Sequence, residues 1–544
     1  MKKYEKMAAR VISPILVICL LAGCGAAGSA NEAAPYMGNQ KNVQGNETAA
    51  AADTAIPGEP AEPGSENLAA QYREIYGEDF NTEEYNYILE NGYKSVVNEP
   101  LSTFSIDVDT AAYSNVRRMI KAGNDIPEDA VRIEEMINYF SYDYPEPEEG
   151  EPFAVSMEYA DCPWNEESRL MMIGIKAKDI DFKDRPASNF VFLLDVSGSM
   201  YSDDKLPLVQ KSFSMLAENL TEQDRVSIVT YAGSEAVILE GETGDHTSAI
   251  VDAIQSLNAG GSTAGAAGIT KAYELAERYF IPGGNNRVIL ATDGDLNVGI
   301  SSEGGLTRLV EEKRESGVHL SVLGVGTGNI KDNKMEALAD NGDGNYNYLD
   351  SVFEAKKVLV DEMGGTLITV AKDVKIQVEF NPAEVAGYRL IGYENRLLNK
   401  EDFDDDTVDA GEIGAGHTVT ALYEIIPAGS SQELPESDLK YQSTGALIES
   451  DDLLTVSVRY KAPNGDTSKL LSYPLSASAY RNELSADLVF ASAVAEFGML
   501  LRDSDNKGSA TYDSVMEMAE SVINQDSDDY RKEFLELVNI VRKK

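Results

Sequence analysis

Cysteine is almost missing from this 544-residue chain: Cys19, Cys24 and Cys162 are the only three. Cys19 falls in an N-terminal leader and Cys24 directly follows it, where the chain is not part of the fold, so Cys162 has no intramolecular partner and a disulfide framework is excluded. It reads as a small buried hydrophobe beside Trp164, the single tryptophan. Histidine occurs only at positions 246, 319 and 417, none close in sequence to a nucleophile motif, which leaves little for acid–base catalysis. Long apolar runs are lacking as well. Outside the leader there is no apolar run of eighteen residues; the nearest, Leu484 to Leu501, is broken by Asp487 and Glu496. The chain alone therefore cannot form a membrane pore. Basic residues are scarce, 46 against 92 acidic, and the formal charge of −46 excludes a nucleic-acid partner, whose phosphates would be repelled. A soluble extracytoplasmic surface is the commoner source of such a charge.

What is present is enough apolar residue, 43%, to fold most of a chain whose length implies two or three domains. Residues 1–23 stand apart. Lys2, Lys3, Lys6 and Arg10 precede the apolar run Val11 to Leu21, the layout of a secretory signal too short to span a bilayer comfortably. The run ends in Leu21-Ala-Gly-Cys24, which resembles the lipobox of bacterial lipoproteins. That resemblance implies cleavage before Cys24 and lipidation of its thiol, so the mature protein is expected to be tethered to a membrane by its lipid anchor alone. Residues 24–68, rich in Ala, Gly, Asn, Glu and Pro, cannot bury enough apolar surface to offset their chain entropy and read as a disordered stalk.

Residues 69–150 read as a mixed α/β region. Tyr85 to Tyr93 suggests a helical fragment, Leu101 to Asp109 a short strand, and Ala111 to Ala122 and Val131 to Phe140 helices. Asp107 and Asp109 read as strand-end or helix-capping acids, with calcium the less favoured alternative. In 151–186, Phe153 to Tyr159 and Leu170 to Ile175 look like paired strands. From 187 to 364, Phe190 to Leu194, Val226 to Tyr231, Ala236 to Leu239, Arg287 to Ala291 and Val318 to Val325 alternate with helical stripes such as Val209, Phe213, Leu216 and Leu220. Strand–helix alternation predicts a mostly parallel sheet covered on both faces. Residues 365–480 turn β-rich, with Pro463 to Asp466 as a hairpin turn, and are expected to form a sandwich with the strands of 153–175. Residues 481–544 close the chain with helices.

One stretch carries chemistry. Val191-Phe-Leu-Leu-Asp-Val-Ser-Gly-Ser-Met200 is a buried strand that runs into Asp195, Ser197 and Ser199 at alternate positions on a glycine-loosened turn. Hard oxygen donors at the carboxyl edge of such a sheet suit Mg²⁺ or a similar ion, and that edge is where open α/β folds bind ligands. Asp-x-Ser-x-Ser alone is common by chance. Two later stretches supply the same chemistry: Gly260-Gly-Ser-Thr263 places a hydroxyl in a loop before a helix, and Arg287 to Thr292 is a second apolar strand ending in Asp293. Thr292 and Asp295 read as braces of the loop rather than ligands.

The set Asp195, Ser197, Ser199, Thr263 and Asp293 resembles the metal-ion-dependent adhesion site of von Willebrand factor A (VWA) domains. The resemblance implies a Rossmann-like α/β fold, hydroxyls that coordinate Mg²⁺ (Mn²⁺ or Ca²⁺ in its place), and one coordination position left for the Asp or Glu of a partner protein. Few charged ligands leave such a cation under-neutralised, so an incoming acid still gains from binding it. Over nearly the whole mature length, including Pro100 to Asp109, Val131 to Phe140 and Ala371 to Pro382, the sequence is similar to bacterial A-domain lipoproteins with a C-terminal domain of unknown function. Such proteins are often labelled homologues of calcium-activated chloride channels. The expected protein is thus a binder of the cell envelope, not an enzyme: a VWA domain flanked by a β-sandwich-like domain and helical N- and C-terminal regions. Its rivals are a metal-dependent hydrolase, for which Ser197 stands where phosphatases of the Asp-x-Asp type need a second carboxylate, and an envelope module whose ion only stiffens a loop.

Overall fold

A computed structural model of the chain describes residues 82–544 apart from 181–184, 262–264, 295–302, 433, 436–449, 464, 466 and 525–528. The leader, the stalk, Cys24, Thr263 and Asp295 therefore lie outside the described residues, as do Asn464 and Asp466 of the expected hairpin turn.

The central sheet has six strands in the order Tyr346–Leu349, His319–Val325, Asn285–Thr292, Ser188–Asp195, Arg225–Tyr231, Glu235–Thr243. The first five are parallel and the last is antiparallel to its neighbour. Phe190 to Leu194 is apolar at every position because both faces of the sheet are covered. Phe190, Phe192 and Leu194 pack against Val209, Phe213 and Leu216 of the helix Leu206–Ala217, with the Phe192 and Phe213 rings edge to face at 4.6 Å. Val191 and Leu193 face the other way, onto Ile269, Ala272 and Leu275 of the helix Gly265–Arg278. Each such fully buried side chain contributes about 2 kcal/mol, so this strand anchors the layer from both sides.

The β-sandwich is built from two sheets. One runs Lys94–Ser95, Val385–Ile391, Thr418–Pro427, Arg169–Ala177, Phe153–Asp161, Tyr480–Arg481; the other runs Gly411–Gly414, Thr369–Phe380, Asp452–Lys461, Ser468–Ser476, with Leu101–Ser105 added against Thr369–Phe380. Alternating residues Val374, Ile376, Val378 and Phe380 face one core with Ile173, Tyr388 and Tyr423, and Phe380 stacks on Tyr388 at 4.1 Å.

The outer face of the first sheet is covered by helices from both ends of the chain. Ala486–Leu501, Tyr512–Val522 and Asp529–Arg542 share a core with Ala111–Ala122 and Ile133–Asn138. Arg117, buried, ties this layer to the central domain: it donates to Asp350 at 2.7 Å, to Glu354 at 2.7 Å, to the Tyr139 hydroxyl at 2.8 Å and to Glu533 at 3.1 Å. No described helix is long and apolar enough to cross a membrane.

Two expectations are corrected. Residues 85–93 form neither helix nor strand; Tyr87 and Leu89 are 81% and 76% exposed, and the Ile88 amide donates to the Asp129 side chain instead of up a helix. Nor do Asp107 and Asp109 cap the helix that starts at Ala111, whose first residue is preceded by Thr110 with no side-chain cap. Both are buried partners of Arg396, at 3.1 Å each.

Candidate metal centre

Parallel pairing decides which side chains meet. Leu194 is in register with Ala291 and Asp195 with Tyr231, so the strands ending at Asp195 and Thr292 deliver their last residues to the same edge of the sheet. Beyond Asp195 the chain turns sharply. The Val196 amide donates to the Tyr231 carbonyl, and a short 3₁₀ turn spans Gly198–Tyr201. This turn is stitched to the loop of Gly260 and Gly261: Gly260 N donates to Val196 O at 2.8 Å and Gly198 N to Gly261 O at 3.0 Å. The segment that leads into Thr263 is thereby held against Ser197, although Thr263 itself lies outside the described residues.

Four of the five predicted donors converge. Asp195, fully buried, accepts the Ser197 amide at 2.9 Å and the Thr292 hydroxyl at 3.1 Å. Ser197 and Ser199 share a hydrogen bond of 3.0 Å between their hydroxyls. Ser199 also donates to Asp293, which closes the circuit between the two strand ends. Asp195, Asp293 and Ser197 are buried at 0%, 0% and 1% exposure, whereas Ser199 is exposed and marks the open side. Thr292 braces Asp195, as its sequence position suggested, and its hydroxyl in turn accepts the Gly294 amide at 3.1 Å.

The two carboxylates differ electrostatically. Burial pushes Asp195 up to about 6, against the bonds from Ser197 and Thr292. Burial would raise Asp293 too, but the Lys205 ammonium and the bonds from Asn329, Lys205 and Ser199 hold it below the usual carboxylate range. Lys205 Nζ donates to Asp293 Oδ2 at 2.9 Å and to Asn329 Oδ1 at 3.0 Å, and Asn329 Nδ2 donates to the same Asp293 oxygen at 3.0 Å. Sequence reasoning missed both residues. A lysine just before Leu206-Pro207 at a helix start reads as solvent-facing, and an asparagine among glycines, Gly326 and Gly328, reads as turn chemistry.

The loop carrying Asn329 is itself clamped. Thr82 N donates to Gly328 O at 2.8 Å, Gly328 N to Glu83 Oε1 at 2.9 Å, and Glu84 N to Ile330 O at 2.9 Å. Lys331 reaches back to Thr82 O and Glu84 at 2.6 and 2.7 Å. The first described residues are thus an added edge on the loop that positions Asp293.

The donors are all oxygen, two carboxylates and two hydroxyls, which fits a hard divalent cation at low ligand charge. Among the described residues no group of three or more His, Cys, Asp or Glu side chains is arranged to hold a metal ion. The histidines are elsewhere. His246 follows Thr243, which pairs with Arg225 at the opposite edge of the sheet; His319 begins its strand at that same far edge; His417 belongs to the sandwich, where its carbonyl accepts the Ala177 amide.

Comparison with known proteins agrees with this architecture. Residues 189–362 match the model of the von Willebrand factor type A domain, residues 79–172 a model described as von Willebrand factor, and residues 365–543 the model "Uncharacterized protein YfbK, C-terminal". The "Uncharacterized protein YfbK" of Escherichia coli (strain K12) is 44% identical over 469 residues, 84% of this chain and 81% of that protein. Among solved structures, a von Willebrand factor type A protein from Catenulispora acidiphila is 14% identical, covering 74% of this chain and 91% of its own, with a TM-score of 0.42. The ArnB paralog VWA2 from Sulfolobus acidocaldarius is 15% identical, covering 72% and 98%, with a TM-score of 0.36. VWA domains typically mediate protein–protein interaction and often bind a divalent metal.

Proposed function

This chain belongs to the family of the uncharacterized protein YfbK, with a VWA domain at its centre, and from that premise we propose that it is a lipid-anchored, extracytoplasmic protein of the bacterial cell envelope that captures a partner protein through a bound Mg²⁺. Asp195, Ser197, Ser199, Thr263 and Asp293 hold the ion, and the Asp or Glu of the partner completes its shell. The observation that carries this reading is the convergence of Asp195, Ser197, Ser199 and Asp293 at one strand edge with only Ser199 exposed: three donors are fixed in the protein and the fourth faces water. Cys24 carries the lipid, and the stalk of 24–68 spaces the folded part from the membrane.

A hydrolase is disfavoured by the placement of the three histidines, none of which is at the edge occupied by Asp195. The net charge of −46 also shapes the partner. That field repels a broadly acidic partner at close range, although physiological salt largely screens it beyond about 8 Å, so docking favours a neutral or basic surface presenting one acid.

The test is a pulldown from envelope extract with the detergent-solubilised full chain, in Mg²⁺ or in chelator, beside Asp195→Ala. A partner retained only in Mg²⁺ and only by the parent chain is the expected result. Equal retention by Asp195→Ala with its fold intact would overturn the reading. Loss of membrane association in Cys24→Ser checks the anchor separately.

A further inference from the structure

Lys205 is an unusual neighbour for a cation site. It is 7% exposed, its ammonium lies 2.9 Å from Asp293 Oδ2, and Asp293 is the carboxylate it ion-pairs with. The position is built, not incidental. Its side-chain stem crosses Gly326, where a Cβ would lie 2.2 Å from Lys205 Cε and where the backbone takes φ +81°, which favours glycine. Gly326 is in turn fixed by the Tyr348 hydroxyl, which donates to its carbonyl at 2.6 Å. Asn329 completes the seat by accepting from Nζ and donating to the same carboxylate oxygen. Both therefore take Oδ2 and engage neither Oδ1 nor the serines.

We propose that Lys205 is a fixed counter-charge that lowers the site's affinity for its divalent cation and keeps the bound cation electron-poor, tuned to receive a partner's carboxylate. This rests on the reading of the site as a cation centre and adds a residue to it. Two carboxylates around a dication leave it formally neutral; the ammonium beside Asp293 removes one of those negative charges from the balance. The residual positive charge is what an incoming Asp or Glu is attracted to. At the effective dielectric of a partly buried site, a unit charge a few ångströms away changes cation affinity by about tenfold or more. Asn329 and Ser199 already supply donors to Asp293, so what Lys205 adds to the site is its charge.

The experiment is calorimetric titration of the detergent-solubilised full chain with Mg²⁺ alone, for the parent, Lys205→Met, Lys205→Gln and Lys205→Arg, each checked for an unchanged melting curve. Lys205→Met keeps the stem over Gly326, and Lys205→Gln keeps a donor to Asp293 should the methionine variant fail to fold. The expected result is Mg²⁺ binding about tenfold tighter or more in both uncharged variants and within about threefold of the parent in Lys205→Arg. If the parent binds Mg²⁺ and the uncharged variants bind it no tighter, the counter-charge is overturned while the cation site stands. If neither the parent nor any variant takes up Mg²⁺, the cation site itself is wrong and this inference falls with it.

Discussion

The Thr292 hydroxyl donates to Oδ2 of Asp195 at 3.1 Å, joining the ends of two adjacent parallel strands through a pair of side chains that are both fully buried. Because Ser197 N occupies the other oxygen, Asp195 is oriented from two sides before any ligand arrives. Thr292→Val keeps the shape and deletes the donor. The expected cost is about 1 kcal/mol of global stability. Loss of such an orienting bond should also weaken Mg²⁺ uptake by about tenfold. Urea denaturation and Mg²⁺ titration measure the two effects; unchanged Mg²⁺ affinity would mean that Asp195 needs no brace.

A second prediction concerns the clamp formed by residues 82–84. Glu83 accepts the Gly328 amide and pairs with Arg118 at 3.1 Å, holding the loop that carries Asn329. In Glu83→Ala that amide loses its acceptor, and local opening of residues 328–332 becomes easier by about 1 kcal/mol. Hydrogen exchange of those amides should quicken while exchange in the central strands stays as it was. Equal acceleration throughout the sheet would show that the clamp supports the whole domain and not one loop.

Much of this architecture was legible in the chain because the signals are local. The run Phe190 to Leu194 names a strand buried on both faces, and its abrupt end in Asp195 names the edge that matters. The strand–helix alternation after it leaves little choice of fold. What escaped is non-local. Lys205 and Asn329 acquire their role from a carboxylate roughly 90 and 36 positions away, and Arg396 from two acids almost three hundred residues upstream, so neither periodicity nor spacing could flag them. Residues 85–93 differ for the opposite reason: aromatic density suggests a helix, but the Ile88 amide donates to the Asp129 side chain and the Asn91 side chain to the Gly392 carbonyl, distant partners that leave no trace in composition.

Arg396 supplies the third prediction. It reaches Asp107 and Asp109 at 3.1 Å, Asp340 at 2.6 Å and Glu336 at 3.7 Å, joining the sandwich to the N-terminal region and to the VWA domain. Burial alone would lower its pKa, but these carboxylates raise it well above the ordinary value. Arg396→Met strands at least two carboxylates that are under 4% exposed, at an expected cost of about 3–5 kcal/mol. A drop in the denaturation midpoint with loss of cooperativity is the expected readout, and Arg396→Lys should recover only part, since a compact ammonium cannot reach four carboxylates as the planar guanidinium does. A variant as stable as the parent would mean those acids are neutralised by protons.

The last prediction is a pH dependence whose sign follows from Glu496. This residue sits in the apolar helix Ala486–Leu501, is 1% exposed, and accepts the Ser514 hydroxyl at 2.7 Å. Burial pushes it up to about 7 against that bond, and burial likewise raises Glu134 to about 7, Glu135 to about 8 and Glu336 to about 7. In the unfolded chain these groups titrate near 4.5, so above about pH 6.5 they hold protons only when folded. Folding then takes up protons, and stability falls as pH rises. Two histidines work the other way: His319 is lowered to about 3 and His417 is lowered as well, so both oppose the trend below their ordinary value of 6.5 and are silent above it, whereas His246, raised by its bond to Glu242 and by Asp245, adds to the decline. The clean window is therefore pH 6.5 to 8.5, across which the urea midpoint should decline. Glu496→Gln keeps an acceptor for Ser514 and removes the titration, so it should raise the midpoint at pH 8.5 and flatten the slope. A parent chain whose midpoint rises across that window would refute the assignment.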